Sequence, residues 1–465
     1  MDNTLLSPPG AAGGYSRRLL LAAWLAFTCS WTDAIYASDS PPESPPDDLA
    51  EAAPEVASDA DPNSPAGADA GVAPPPAVAT VPNAPISSLE ELTREQDRLD
   101  IQSYRNVIAD IEHSEGAYSS NVSEHLLSLG SALQQAGRHA EAIDVFKRGV
   151  HLSRINDGLY GAEQIPLLQS EIRSHLALGE FAAADERQVY LYRVQLRSLS
   201  SGPRRANALM QQASWQQQAY ELRLGEHGFN RLMNMWDLYR LALNDIIKLE
   251  GDTSPSLLSP LYGMLRSQYL ISDYQSESNS GFGSEYDFAE RQGQSRFNAY
   301  RAQSYKKGLS VIRAIQDIEI QNEPDNHVAA ANSYLRLGDW MMWHGEDDEA
   351  MENYQLALTE LAASNDAQVL EHQIFGAPVA LPALEGVESL PPTVPQDQGN
   401  ALLEFTVTAS GRLVDLDRLD DFEENEAKVN RLMRRLRKTQ FRPRFEEGKP
   451  VDTEKVVWAY DSNNW

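Results

Sequence analysis

Apolar side chains return at intervals of three and four residues between positions 121 and 152. They form two runs, Leu126, Leu129, Leu133 and then Ile143, Phe146, Val150. That spacing is the signature of helices burying one stripe each. Gly137 interrupts it, which predicts a helix–turn–helix, and the small residues Gly130 and Ala142 fall where the two helices must approach closely. The pattern returns 208 residues later around Gly345, with Leu337, Met341 and Tyr354 as apolar positions and Gly338 and Ala350 as small ones. A weaker copy lies nearer. Gly116 recurs as Gly158, Gly137 as Gly179 and Ala142 as Ala184, each 42 residues on. Helical periodicity without the small residues continues through 204–224, 229–249, 256–272 and 296–319, while the polar, Gly/Ser-rich stretch 273–295 predicts a long loop.

The spacing Leu129-Gly130, Leu133, Gly137, Ala142, Phe146, Gly149 resembles the tetratricopeptide repeat, and Leu337-Gly338, Met341, Gly345, Ala350, Tyr354, Ala357 keep the same offsets. The 42-residue period resembles the kinesin-light-chain style of this repeat. The resemblance implies that residues 89–365 stack as an α-solenoid with a concave protein-binding groove. Gly130, Ala142, Phe146, Gly338, Ala350 and Tyr354 then set the helix crossings. The groove positions it implies are Glu124, Ser131, Gln134 and Gln135 in one copy and Asn332, Asp339, Met342 and Trp343 in the other. Their Gln, Glu and Asp content differs from the Lys, Asn and Arg of the chaperone-type carboxylate clamp.

Toward the C-terminus the period changes from about 3.6 to two. Leu403, Phe405 and Val407, then Leu413, Val414 and Leu416, predict a hairpin around Ser410-Gly411. Residues 423–439 predict an amphipathic helix with Val429, Leu432, Met433 and Leu436 on one face, and 451–460 predict a last strand. Two strands, a helix and a strand make a small α+β module with an antiparallel sheet. Leu381-Pro382, the hairpin, Phe441-Arg442-Pro443, Gly448-Lys449-Pro450-Val451 and the terminal VVWAY resemble the C-terminal domain of the TonB energy transducers. The expected fold is therefore mainly α, a tetratricopeptide-type solenoid followed by a TonB-like α+β domain over 366–465. In that family a sheet edge receives a partner strand, which singles out Lys455, Val457 and Ala459.

The N-terminus has a different character. Arg17 and Arg18 precede an apolar run over 19–31 and a small-residue exit at Ala37. This is the layout of a secretory signal peptide, shorter than the ~20 apolar residues of a spanning helix. Residues 38–88 read as a disordered linker rich in Pro, Ala and Asp: positions 38–87 hold 12 Pro, nine acidic residues and no Lys, Arg or aromatic.

Charge removes several functions. The net charge of −29 repels polyanions, so nucleic acid is not an expected ligand. The single Cys29 excludes intrachain disulfides and cysteine-rich metal sites. The nine His are scattered, and no HExxH, phosphate loop or G-x-S-x-G occurs, so no enzyme, cofactor, metal or small-molecule substrate is expected. A basic run from Lys428 through Arg431, Arg434, Arg435, Arg437 and Lys438 to Arg442 and Arg444 stands out against this background. It reads as a solvated helix face, or as a surface docking on the acidic solenoid or an acidic partner. The composite expectation is an exported periplasmic adaptor binding cell-envelope proteins. The alternative is an energy-coupling subunit for transport at the outer membrane, anchored in the inner membrane if the signal is uncleaved.

Overall fold

A computed structural model describes residues 86–225, 228–275, 286–420 and 425–464. The expected signal, and the linker up to residue 85, lie outside the described residues. Among the described residues, no helix is long and apolar enough to cross a membrane. Residues 87–465 form one compact unit.

The chain begins with a 30-residue helix, α1 (Ile86–Glu115), followed by α2 (Ser120–Gln135), α3 (His139–Asp157), α4 (Gln164–Ala177), α5 (Phe181–Ser198), α6 (Pro203–Glu221), α7 (Gly228–Glu250), α8 (Leu258–Asp273), α9 (Tyr286–Arg301), α10 (Ser304–Asn322), α11 (His327–Trp343), α12 (Asp347–Ala362) and α13 (Ala367–Phe375). Pairs α2/α3, α4/α5, α6/α7, α8/α10 and α11/α12 pack as successive helical hairpins. The chain is thus a helical repeat of the tetratricopeptide type. The small residues do what their spacing requires. A Cβ on Gly130 would lie 2.2 Å from the Phe146 ring, and one on Gly338 would lie 2.5 Å from the Tyr354 ring. Ala142, Phe146, Ala350 and Tyr354 are fully buried.

The turn inside four of the five hairpins is one device. Gly137 (φ 72°), Gly179 (φ 74°) and Gly345 (φ 80°) take the left-handed conformation. The next residue's N–H then donates back to the helix, Arg138 to Leu133 at 2.8 Å, Glu180 to His175 at 2.9 Å and Glu346 to Met341 at 3.0 Å. The third repeat closes identically, Leu224 to Ala219 at 2.8 Å, but its left-handed residue is Arg223 (φ 55°). The same turn is made there without a glycine, which is why that repeat lacks the sequence signature.

Two expectations need correction. The stretch 273–295 is not simply a loop, because α9 starts at Tyr286, and the helix expected over 296–319 breaks at 302–303. Phe297 and Tyr300, one turn apart, give the reason. Phe297 packs 5.5 Å from Phe229, and Tyr300 lies 6.3 Å from Trp236, both on α7. α9 is an insertion inside the fourth repeat, so α8 pairs with α10 across it.

The C-terminal strands are β1 (Val379–Ala380), β2 (Ala401–Val407), β3 (Leu413–Arg418), β4 (Phe441–Arg442), β5 (Arg444–Glu446), β6 (Lys449–Val451) and β7 (Thr453–Tyr460), with helix α14 (Glu426–Leu436) after β3. The main sheet is antiparallel in the order β3-β2-β7, while β1 pairs β4 and β5 pairs β6. β2 alternates buried and half-buried along its length, and its buried side meets Val429, Leu432 and Leu436 of α14.

The hydrophobic core continues across the expected boundary at 365–366. Phe375, Leu381 and Phe445 share one cluster with Ala331, Met342, Tyr354 and Leu361 of the last repeat. Phe375 lies 5.9 Å from the Tyr354 ring and 4.9 Å from Phe445. The module over 366–465 therefore closes the core of the solenoid's last repeat.

Gly130→Ala and Gly338→Ala should each lower stability by about 1–3 kcal/mol, although alanine is the better helix former by about 1 kcal/mol, because the facing rings are buried and cannot yield. Denaturant unfolding of the full chain checks it. His344 supplies a second expectation. Its ring lies 4.4 Å from Trp340, and burial lowers its pKa to about 4. In the unfolded chain an ordinary histidine takes its proton near pH 6.5, so stability present above that value is lost as pH falls toward 4. With partial exposure the loss should be about 1–2 kcal/mol, and His344→Phe should remove that part of the pH dependence in melts at pH 7 and 4.5.

Candidate functional site

The first helix of each hairpin carries the polar positions marked as groove candidates. In α2, Glu124 and Gln135 are exposed. Ser131 returns its hydroxyl to the Leu127 carbonyl of its own helix at 2.8 Å. Gln134 bridges to the next first helix, donating to the Ser170 carbonyl and the Ser174 hydroxyl of α4, both at 2.7 Å. It ties repeats together.

The α11 set behaves differently. Asn332 is half-buried, and Trp343 donates its indole N–H to Ser272 of α8 at 2.9 Å. Met342 is fully buried and Asp339 is 5% exposed, so neither presents a side chain to an incoming partner. The cover is the chain's own C-terminal module. A Cβ on Gly411 would come within 3.3 Å of the Met342 sulfur, and Gly386 lies against Arg266 of α8 and accepts at its carbonyl from Gln217 of α6 at 2.5 Å. Gln355 of α12 donates to the Gly448 carbonyl at 2.6 Å.

The centre of this contact is an ion pair. Arg442 donates from Nε to Asp339 Oδ1 at 2.9 Å and from Nη2 to Oδ2 at 2.8 Å, with both side chains nearly sealed from water. Its Nη1 donates to the Ile374 carbonyl at 3.0 Å, and the Tyr354 hydroxyl donates to Asp339 Oδ1 at 3.0 Å. Burial disfavours the guanidinium's charge, but the Asp339 carboxylate and Tyr354 more than offset it, and the Arg442 pKa ends above its ordinary value. Burial, then the same carboxylate, push the hydroxyls of Tyr354 and Tyr269 well up, so both stay neutral. Strand alternation aims the arginine. Phe441 enters the sheet core, 5.9 Å from Phe405, and Arg442 points the opposite way, into the solenoid. β1 holds the strand in place through Val379 opposite Arg442.

Sequence reasoning missed this pairing across 103 residues, though a signal existed. Asp339 sits in Leu-Gly-Asp-Trp-Met-Met-Trp, a lone acid in an apolar stretch, and Arg442 sits between Phe441 and Pro443. Charges in such surroundings need partners.

Lys455, Val457 and Ala459 lie on β7, an outer strand of the main sheet. The Ala459 carbonyl accepts from the Val394 N–H at 2.9 Å, while the Tyr460 carbonyl points the other way, to Asn400. Alternation then turns the Val457 backbone outward beside Ala459. Lys455 (φ 54°) and, on the opposite edge, Asp415 (φ 50°) take left-handed conformations that interrupt a regular extended edge. The outer edge is shorter than the run 455–459. Among the described residues no group of His, Cys, Asp and Glu could hold a metal ion.

No family model and no curated protein matches the chain. Solved structures do, at low similarity. A kinesin-light-chain-type protein of Podosopora anserina with nearly identical TPR-like repeats is 15% identical, with 53% of this chain and 97% of that one covered and a TM-score of 0.35. A point variant of the same protein gives 15%, 52%, 96% and 0.34. BtubC (BKLC) from P. vanneervenii is 12% identical, with 66% and 96% covered and a TM-score of 0.36. At such scores these likenesses add nothing to what the helix pairing and glycine contacts establish.

Removing one partner of the buried pair strands the other, so Asp339→Ala and Arg442→Ala should each lower stability by about 3–5 kcal/mol. Asp339→Leu combined with Arg442→Met should lower it by less than either single change. A double-mutant cycle in denaturant measures the coupling, and additive losses would show the pair to be only incidental to the weld.

Proposed function

We propose that the chain is a protein-interaction adaptor exported to the periplasm, presenting the N-terminal part of its groove to a cell-envelope partner. The observation that carries this reading is the contrast along one face. The first-helix surface at α6, α8 and α11 is occupied by the chain's own C-terminal module, whereas Glu124 and Gln135 on α2 remain exposed. A solenoid built only to be rigid has no need of a free concave end, and concave faces are where such proteins hold peptides. Export is supported by the layout of residues 1–37, and the envelope setting by the TonB-like pieces around Phe441-Arg442-Pro443 and Gly448-Lys449-Pro450-Val451. Arg442 has a structural task here, however, and the outer strand near Val457 offers only a short open edge. An energy-coupling subunit that receives a partner strand, favoured by the outer position of β7, is the second reading.

Two measurements separate these readings. Intact mass of the protein from the periplasmic fraction of a Gram-negative host should lack residues 1–37; retention of Arg17 and Arg18 favours the anchored subunit. A photo-crosslinking residue at Gln135 should then trap an envelope protein that the same residue at Val457 does not. Trapping at Val457 alone would overturn the groove reading.

A further inference from the structure

Of the basic run on α14, only Lys428 is engaged, among the described residues, in the contacts that fix the module. Val429, Leu432 and Leu436 are buried against the sheet, and Lys428 donates to the Ser462 carbonyl at 2.7 Å. Arg431, Arg434 and Arg435, with Arg437 and Lys438 just beyond the helix, are all exposed. Their pairing state sets them apart. Between positions 401 and 465, Arg412 pairs with Asp347, Arg418 with Asp420, Arg442 with Asp339 and Arg444 with Glu446. Among the described residues, Arg431, Arg434, Arg435 and Arg437 have no carboxylate within ion-pair distance. Every arginine of the module off this helix is paired, whereas among the described residues those on it or at its end meet no carboxylate. In a chain of net charge −29, acidic groups are abundant, yet among the described residues none closes on this strip.

Its place in the fold is also defined. The positive charge of Arg435 reaches Tyr220 on α6, where it works against the upward push of burial and of Asp273 on the phenol's pKa. α6 also meets the module through Gln217, which donates to the Gly386 carbonyl. The strip therefore lies on the side of the module near α6.

We infer that α14 is a docking strip for an acidic, extended segment of a partner protein. Charge complementarity supplies the attraction, and range selects the class of partner. Fields are screened over ~8–10 Å at physiological salt. A peptide lying along one helix feels the local cations, whereas an anionic bilayer or a nucleic-acid duplex extends beyond them and meets the field of a chain whose net charge is −29. The helix has no apolar face left to insert into a membrane, since that face is buried against the sheet. This inference does not depend on the groove reading; it would stand if Glu124 and Gln135 bound nothing.

The test uses the full chain and a fluorescein-labelled decapeptide of alternating Glu and Gly, read by anisotropy at low and physiological salt. Saturable binding that weakens with salt is expected. Binding should fall at least tenfold in Arg431→Gln/Arg434→Gln/Arg435→Gln and be kept in the corresponding triple Lys variant. These side chains are exposed, so circular dichroism should show both variants folded. A Gln-Gly decapeptide should not bind, and vesicles of phosphatidylcholine with phosphatidylserine should not co-sediment the protein. Absence of peptide binding at low salt, or equal binding by the triple Gln variant, overturns the inference. So does arginine-dependent binding to the vesicles without binding to the peptide, which would make the strip a membrane contact.

Discussion

Two charges with almost no access to water hold the C-terminal half of this molecule in one arrangement. Asp339 on α11 and Arg442 on β4 both lose their hydration, a penalty of several kcal/mol per ion in a protein interior. The geometry that offsets it is demanding: two parallel N–H to carboxylate bonds, a tyrosine hydroxyl on the same carboxylate and a backbone carbonyl on the remaining guanidinium nitrogen. A slide of β4 along α11 by one residue would break all of these at once. The pair thus acts less as a source of stability than as a register mark. Phe375, Phe445 and Tyr354 pack around it and supply the hydrophobic contribution.

That weld decides what the solenoid can offer. Stacked repeats leave an apolar face at each end that must be covered. At the N-terminal end α1 provides the cover, burying Ile101 and Ile108 in one cluster with Leu126 and Leu129 and pairing Arg105 with Glu141 and Glu112 with Arg148. At the C-terminal end α13 and the small sheet do the same for Ala357 and Leu361. The second cap is larger than coverage requires, and it continues onto the first helices α6, α8 and α11. Asp339 and Met342 on α11 are consequently part of an interior, whereas Glu124 and Gln135 on α2 remain exposed.

Legibility in the sequence followed locality. Gly130 with Phe146, and Gly338 with Tyr354, are contacts between helices joined by a short turn, so fixed spacing reveals them. The left-handed turn at Arg223 was hidden because its backbone conformation is held by a residue other than glycine. The start of α9 reads as a loop because the packing that anchors the helix, Phe297 and Tyr300 against α7, lies at its far end and involves an element distant in sequence. The polar groove candidates were the least legible. Gln134, Asp339 and Trp343 are polar on one helix, but each has its partner on another element, α4, β4 and α8, and periodicity within α2 or α11 carries no trace of that.

The same locality explains why the C-terminal module can be both a cap and a carrier of function. Its inner surfaces are fully committed: Phe441 and Tyr460 to its own core, Arg442 and Phe445 to the solenoid. Its sheet edges are blunted by left-handed residues in β3 and β7 and by Val394 across Ala459, which limits uncontrolled strand addition. What remains is an exposed helix face, and helix faces accept substitutions within about ±0.5 kcal/mol when nothing packs on them. A solvated face needs no clustered arginine, and a chain rich in carboxylates had every opportunity to pair them. The strip from Arg431 to Lys438 is an exposed part of the cap whose chemistry the demands of folding leave unexplained.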